Sequence, residues 1–201
     1  MLDSGSFPYF HLPNQFWAHK NHRQVVEALR TLKSSGREIL VVATGNTQDL
    51  RQPGFYESLM DTVKGYGLSE NFKSLGIVPF KDLMALMWHS VAVINPSFFE
   101  GWSTTVEEAK SMGKKVILSD IPVHREQNPE RGVFVNPNDP EQMAAPLETA
   151  LLEVDVEAEK QYAEKAERDL PQRRAAFGRY YQEIVLGILS GTQPIMENQN
   201  G

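Results

Sequence analysis

The chain has no cysteine among its 201 residues, which excludes disulfides, iron–sulfur clusters and thiolate zinc sites. No window approaches the ~18 consecutive apolar residues of a membrane-spanning helix. Met1–Gln15 lacks the pattern of a secretory signal, and no N-x-[ST] sequon stands without an intervening proline. Basic residues are in deficit: 20 Lys and Arg face 26 Asp and Glu, giving a net charge of -6 and a pI near 5.4. That balance argues against a nucleic-acid surface, which needs clustered cations to displace counterions. Three reactive signatures are also missing: a D-x-D metal pair, a G-x-S-x-G elbow and a G-x-x-x-x-G-K-[ST] phosphate loop. What remains is 41% hydrophobic and 23% charged, the composition of a soluble globular protein. The length suits one domain with a helical extension, and a cytoplasmic location is the expectation.

Short apolar runs alternate with amphipathic segments. Tyr9–Leu12 reads as a first strand and Asn21–Ser34 as a helix, with Val25, Val26, Leu29 and Leu32 on one face. Ile39–Ala43 is a buried strand ending at Thr44–Gly45, and Phe55, Leu59, Val63 and Tyr66 repeat at helical spacing after the breaker Pro53–Gly54. Phe72–Val78 predicts a third strand, Asp82–His89 a helix and Val91–Asn95 a fourth strand. Thr104–Met112 is helical with Val106, Ala109 and Met112 inward and Gly113 as its stop. Val116–Leu118 and Val133–Val135 complete about six strands. Runs apolar throughout are buried on both faces, so the fold class is α/β, a doubly wound, Rossmann-like parallel sheet flanked by helices. Ligands in such sheets bind at the carboxyl ends of the strands, which directs attention to the loops after Leu12, Thr44, Val78 and Asn95.

This domain is expected over residues 8–152, a helical extension over 153–190, and a disordered tail over 191–201. Residues 1–7 read as a linker or an artificial edge. In the extension, a charged stretch (Glu153–Arg174) precedes an apolar stripe of Phe177, Tyr180, Tyr181, Ile184, Ile188 and Leu189. That stripe fits packing on its own domain as well as docking on another.

The most informative stretch runs from Asn95 to Ala109, N-P-S-F-F-E-G-W-S-T-T-V-E-E-A. A strand ends, a turn carries Glu100 and Gly101, and a helix opens near Ser103 or Thr104. Ser103, Thr104 and Thr105 suit a helix cap, and first-turn amides are free to meet a phosphate. The dipole adds only ~0.3–1 kcal/mol when exposed, so direct bonds of ~1.5–3 kcal/mol each to a charged phosphate decide the matter. Glu108, one turn into the helix beside Thr105 and Ala109, can accept from both hydroxyls of a ribose. Glu100, before the helix, is placed where it could reach the other end of a nucleotide diphosphate sugar. Glu107 reads as a solvated surface acid.

This stretch, continuing to Pro122, resembles the E-x7-E signature of the group-1 (family 4) glycosyltransferases. The resemblance runs from about Tyr9 to Leu152 and includes Phe16–His22, Leu75–Pro79 and Gly132–Pro137. It implies two facing Rossmann-like domains (the GT-B fold), of which this chain is the C-terminal, donor-binding one, acting with retention and without an essential metal or cofactor. By position, Glu108 would hold the ribose hydroxyls and Glu100 the transferred sugar. The amides from Gly101 through Trp102, Ser103, Thr104 and Thr105 would face the diphosphate and sugar, and the backbone of Ile77, Val78 and Pro79 would meet the base. Lys20 matches the lysine that neutralises the leaving diphosphate, where a fixed ammonium offsets growing negative charge. The acceptor would bind a missing N-terminal domain, leaving this fragment able to bind a nucleotide-sugar donor but inactive alone, with no nucleic acid and no membrane contact of its own. Many members build surface polysaccharides at a membrane, so the full-length enzyme is expected to lie peripherally at its inner face.

Two departures stand out. The arginine that the family places five or six residues before the lysine is replaced by Gln15 and Asn14. The usual E-G-F-G-L-P is here Glu100-Gly101-Trp102-Ser103-Thr104-Thr105. A nucleotide-sugar epimerase-like half and a non-catalytic nucleotide-binding or scaffold module remain alternatives. His19 and His22, three residues apart, lack further ligands for a metal. His124 and Arg125, near the end of the fifth strand, suit capping or the surface, with support of the site from behind as the alternative. Trp17, Trp88 and Trp102 suit packing, with Trp102 alternatively lining the sugar pocket.

Overall fold

The computed structural model describes residues 8–191. The linker expected over 1–7, and all but Gly191 of the expected tail, lie outside the described residues. Six strands, β1 (Tyr9–Leu12), β2 (Leu40–Ala43), β3 (Phe72–Ser74), β4 (Val93–Asn95), β5 (Val116–Ser119) and β6 (Gly132–Val135), form one sheet in the order β3-β2-β1-β4-β5-β6. Every pairing is parallel. Alternate residues feed two cores: Ile94 and Ile117 face one side, Val93, Val116 and Leu118 the other. The first core receives α1 (His22–Ser34), α2 (Phe55–Gly65) and α6 (Glu141–Leu152) through Val25, Leu29, Leu59, Met143 and Leu147. The second receives α3 (Phe80–His89) and α4 (Thr104–Ser111) through Met87, Val106 and Ala109. Burial on both faces explains why the strands read as unbroken apolar runs.

The strand order reverses beside β1: the chain moves outward through β2 and β3, then returns to add β4 on β1's other edge. At such a reversal the loops leaving the two neighbouring strands diverge and leave a crevice at their carboxyl ends. The loops after β1 and β4 carry Lys20 and Glu100.

Some elements differ from expectation. β3 stops at Ser74, because Gly76 adopts φ 65 and turns the chain out of the sheet. Ile77–Pro79 therefore lie in a loop rather than a strand, and α3 starts two residues before Asp82 with Pro79 as its cap. α6 is an element the sequence analysis does not anticipate: its Met143, Leu147 and Ala150 keep helical spacing, but Pro146 interrupts the pattern. A short α5 (Pro122–Gln127) follows β5, and a 3₁₀ turn (Ala18–Lys20) precedes α1.

The C-terminal extension is one helix, α7 (Val156–Ser190), of 35 residues. Asp155 caps it by accepting from the amides of Glu157 and Ala158 at 2.9 and 3.2 Å. Its first half docks on α4 and on the segment that leads into β6. Arg131 pairs with Glu159, donates to the Gly113 carbonyl at 2.8 Å, and lies over the Tyr162 ring at 4.0 Å. Gly113, at φ 67, lets the α7 backbone come close: a Cβ there would sit 2.3 Å from the Tyr162 carbonyl oxygen. The apolar second half stands clear of the sheet, with Phe177 73% and Ile188 70% exposed. Charged residues thus make many of the docking contacts, while Phe177, Ile188 and Leu189 of the stripe stay exposed. No helix among the described residues is long and apolar enough to cross a membrane.

Candidate functional site

Asn95, the last residue of β4, is fully buried and ties three segments together. Its Nδ2 donates to Ser103 Oγ at 2.7 Å, and its Oδ1 accepts from Asn14 Nδ2 at 3.2 Å. Ser103 in turn caps α4, its hydroxyl accepting from the Val106 amide at 3.3 Å. The amides of Thr104 and Thr105 precede that bond and have no acceptor within the helix. They are left at the helix's positive end.

The 3₁₀ turn that carries Lys20 is pinned at both ends. Asp49 accepts from the Ala18 amide at 3.2 Å. Asn21, at φ 55, donates from Nδ2 to the carbonyls of Pro96 and Pro137 at 3.1 and 3.0 Å. The Phe98 amide donates to the His19 carbonyl at 2.8 Å. These bonds stitch the β1 loop to the β4 loop. Lys20 Nζ then meets both Glu100 oxygens, at 2.6 and 2.7 Å, with the two side chains only 13% and 9% exposed. The Ser97 hydroxyl lies 2.7 Å from Glu100 Oε1 and 2.9 Å from Asn95 Oδ1. A hydroxyl has one proton, and the charged carboxylate is the stronger acceptor.

Behind this pair stands a group the sequence reading placed at the surface. His124 is wholly buried, its Nδ1 donating to the Ser119 carbonyl at 2.8 Å. Ser119 Oγ donates to the Ser97 carbonyl at 2.5 Å. The capping and surface readings of His124 are therefore wrong: it braces the β5 end that supports the Glu100 loop. Burial lowers its pKa, against opposing contributions from Ser119 and Glu100. Its place near the end of β5 is the one signal in the sequence for this supporting role.

Glu108 is half-buried on α4, and burial raises its carboxyl pKa. Among the described residues its side chain has no hydrogen-bond or ion-pair partner. Glu107 is not the solvated acid it seemed: it accepts from Lys110, Gln127 and Arg173 at 3.1, 3.1 and 3.2 Å, linking α4 to α5 and α7. Asn14 is buried on Asn95, while Gln15 accepts from the Asn46 amide at 2.5 Å. Both are spent on scaffolding, and neither brings a cation. Gly45 allows the close approach, since a Cβ there would lie 2.3 Å from the Asn14 carbonyl oxygen.

Ile77, Val78 and Pro79 project from the β3–α3 loop at the same edge of the sheet, with Ile77 76% exposed. Gly101 and Trp102 sit exposed beside Glu100, so Trp102 is not a packing residue. Trp88 is also exposed, whereas Trp17 is half-buried, donates to the Gln48 carbonyl at 3.3 Å and lies under Arg51. His19 and His22 part company: His22 is buried and stacked on Phe16 at 4.4 Å, while His19 lies beside Trp17. The structure thus brings Lys20 and Glu100 into contact, and sets Glu108 and the α4 amides on the helix that follows. An apolar groove of about 570 Å³ lies at the other end of β4 and β5, between Trp88, Met112 and α7. It is remote from these groups.

Comparison with known proteins agrees with this architecture. The model of the family described as "Glycosyl transferases group 1" matches residues 7–169. The chain is 29% identical over 131 residues to the O-antigen chain mannosyltransferase RfbU of Salmonella typhimurium, covering 65% of this chain and 35% of that protein. Among solved structures, a glycosyltransferase from Rickettsia africae superposes with a TM-score of 0.71 at 24% identity, over 84% of this chain and 44% of its own. Anabaena Alr3699/HepE, solved in complex with UDP and glucose, gives a TM-score of 0.66 at 18% identity, over 83% and 44%. These structural likenesses show the shared fold, and the chain spans less than half the length of each of these three proteins. With the family match extending over the whole sheet and into α7, the chain belongs to the group 1 glycosyl transferases.

Proposed function

We propose that this chain binds the nucleotide diphosphate sugar and forms the donor half of an enzyme that transfers the sugar with retention. The observation that carries the reading is the meeting of Lys20 and Glu100 at the strand-order reversal, beside the first-turn amides of Thr104 and Thr105 and a Glu108 without a partner among the described residues. In this reading the diphosphate lies over the amides from Gly101 to Thr105. Lys20 offsets the charge that grows on the leaving nucleotide, and a fixed ammonium does this without reorganising at the moment of reaction. Glu100 accepts from hydroxyls of the transferred sugar. Glu108 accepts from the ribose, an exchange that compensates the burial now opposing its ionisation. Ile77 and Val78 offer backbone groups to the base, since that loop has left the sheet. The Pro79 carbonyl is taken by the Asp82 and Leu83 amides at 2.9 and 3.0 Å, and Pro79 flanks them as a surface. No metal is required, because Lys20 and the helix amides supply the positive potential. The acceptor belongs to an N-terminal domain outside these 201 residues.

A second reading, a nucleotide-binding module without catalysis, is favoured by one observation: Asn14 and Gln15 supply no cation where the family has arginine. Transfer by the full-length protein would dismiss it. The donor reading is tested by calorimetric titration of the chain with UDP, GDP and ADP, repeated with Glu108→Ala. Selective binding of one nucleotide is expected, weakened about tenfold or more by the loss of a charged hydrogen bond. Full transfer activity from this chain alone would overturn the assignment of a half-site.

A further inference from the structure

The Lys20–Glu100 ion pair, we infer, makes the site discriminate between the intact nucleotide sugar and the nucleoside diphosphate left after transfer. This rests on the donor-binding reading above. Without a ligand the pair is already closed: Nζ contacts both carboxylate oxygens at 2.6 and 2.7 Å, and neither side chain is more than 13% exposed. The ammonium has three protons and gives two to Glu100, so a phosphate that draws Lys20 fully onto itself parts it from Glu100. It then lies beside a carboxylate that has lost its counter-charge and keeps only the Ser97 hydroxyl, now at 2.7 Å.

The two ligands meet that carboxylate differently. A free nucleoside diphosphate ends in a phosphate held only by its anhydride bridge, whose second ionisation lies near about pH 6. At neutral pH it therefore carries one more negative charge than the same phosphate esterified to a sugar. Charges of like sign a few ångströms apart in a poorly hydrated site repel by several times RT. The sugar ester brings less charge, and it also brings hydroxyl donors that replace the hydrogen bonds Lys20 withdraws. Glu100 thus penalises the product while accepting the substrate. The pinned loops matter here, because Asn21 and Ser119 hold Pro96 and Ser97 by their carbonyls and limit how far Glu100 can retreat. Discrimination of this kind uses repulsion against the wrong ligand as much as attraction for the right one.

The test compares the chain with its Glu100→Gln variant by calorimetric titration. The ligands are UDP, GDP and ADP, and then UDP-glucose, GDP-mannose and ADP-glucose. For the base that the unaltered chain accepts, the glutamine variant is expected to bind the free diphosphate about tenfold more tightly. It should bind the sugar ester equally or less tightly, so the preference for the ester shrinks. Glutamine keeps the size of the side chain and can still accept from Ser97, and an unchanged melting temperature confirms that the variant is folded. Diphosphate binding that is unchanged or weaker in the variant, while the unaltered chain binds normally, would overturn this inference and leave the donor reading standing. Failure of both proteins to bind any nucleotide or nucleotide sugar would bring down the donor reading and this inference with it.

Discussion

Acid should unfold this protein through two histidines at the heart of the sheet. His11 lies mid-strand in β1, with Nε2 3.0 Å from Thr44 Oγ1, and burial pushes its pKa down to about 4. His22 is enclosed at the start of α1, and burial pushes it down to about 3, with the Lys20 charge adding to the effect and the Asn14 carbonyl opposing it. In the unfolded chain both return to the ordinary value of 6.5. Between these limits the unfolded state binds more protons, so the stabilisation is complete above pH 6.5 and is lost as pH falls towards 4. Each histidine costs roughly 1 to 1.5 kcal/mol per pH unit, so the pair loses about 3 kcal/mol per unit. His124 shifts in the same direction and adds to the slope. A domain holding ~5–15 kcal/mol in total would be near its limit between about pH 5 and pH 4. The carboxylates lowered by their partners, such as Glu159 and Asp49, act only at the acid end of this window. Urea unfolding followed by tryptophan fluorescence, repeated from about pH 7 down to about pH 5, measures the slope directly. His22→Phe, which keeps a ring against Phe16, should reduce it by roughly the share of one histidine. A stability that stays flat over this range, or an unchanged slope in the variant, would refute the argument.

Two further perturbations test the C-terminal helix. Gly113→Ala places a Cβ 2.3 Å from the Tyr162 carbonyl oxygen at a backbone φ of 67. It should cost about 3 kcal/mol from strain and overpacking together, seen as a lower urea midpoint and faster proteolysis within α7. Replacing Phe177 and Ile188 with serine should change the stability of this chain by no more than about 0.5 kcal/mol per site, because both are exposed. A loss of more than about 2 kcal/mol would mean that the stripe packs against the chain after all.

The sheet was legible because its strands are buried on both faces: V-I-N, V-I-L-S and L-V-V-A are apolar without alternation, and only a covered parallel sheet explains that. The turn from β4 into α4 was legible because its chemistry is local, with Ser103 capping the helix it precedes. What escaped was decided by distant partners. Nothing near Glu107 in sequence announces Gln127 and Arg173, and nothing near His124 announces the Ser97 loop. The contact between Lys20 and Glu100 spans 80 residues; the family resemblance placed both at the donor, but spacing alone gave no sign that they touch. α6 was hidden by Pro146, which interrupts its pattern while the apolar face around it still packs. β3 was read too long because Leu75, Ile77 and Val78 are apolar, yet Gly76 takes them out of the sheet and leaves Leu75 and Ile77 in solvent.

The carbonyl partners of Asn21 and Gln24 bear on how this molecule comes to be assembled. Asn21 donates to Pro137, 116 residues ahead, and Gln24 to Asn136, 112 residues ahead. During synthesis β1, α1 and the loop of Lys20 are therefore made early, but that loop cannot be fixed until all six strands have been synthesised. Contacts this far apart in sequence form late, after the cost of closing the intervening loop has been met. Half-made chains would expose α1's apolar face, which waits for α6, and would carry Lys20 on a loop still free to move. Competence to bind would then appear abruptly, with the folding of the last third of the sheet, rather than accumulate strand by strand.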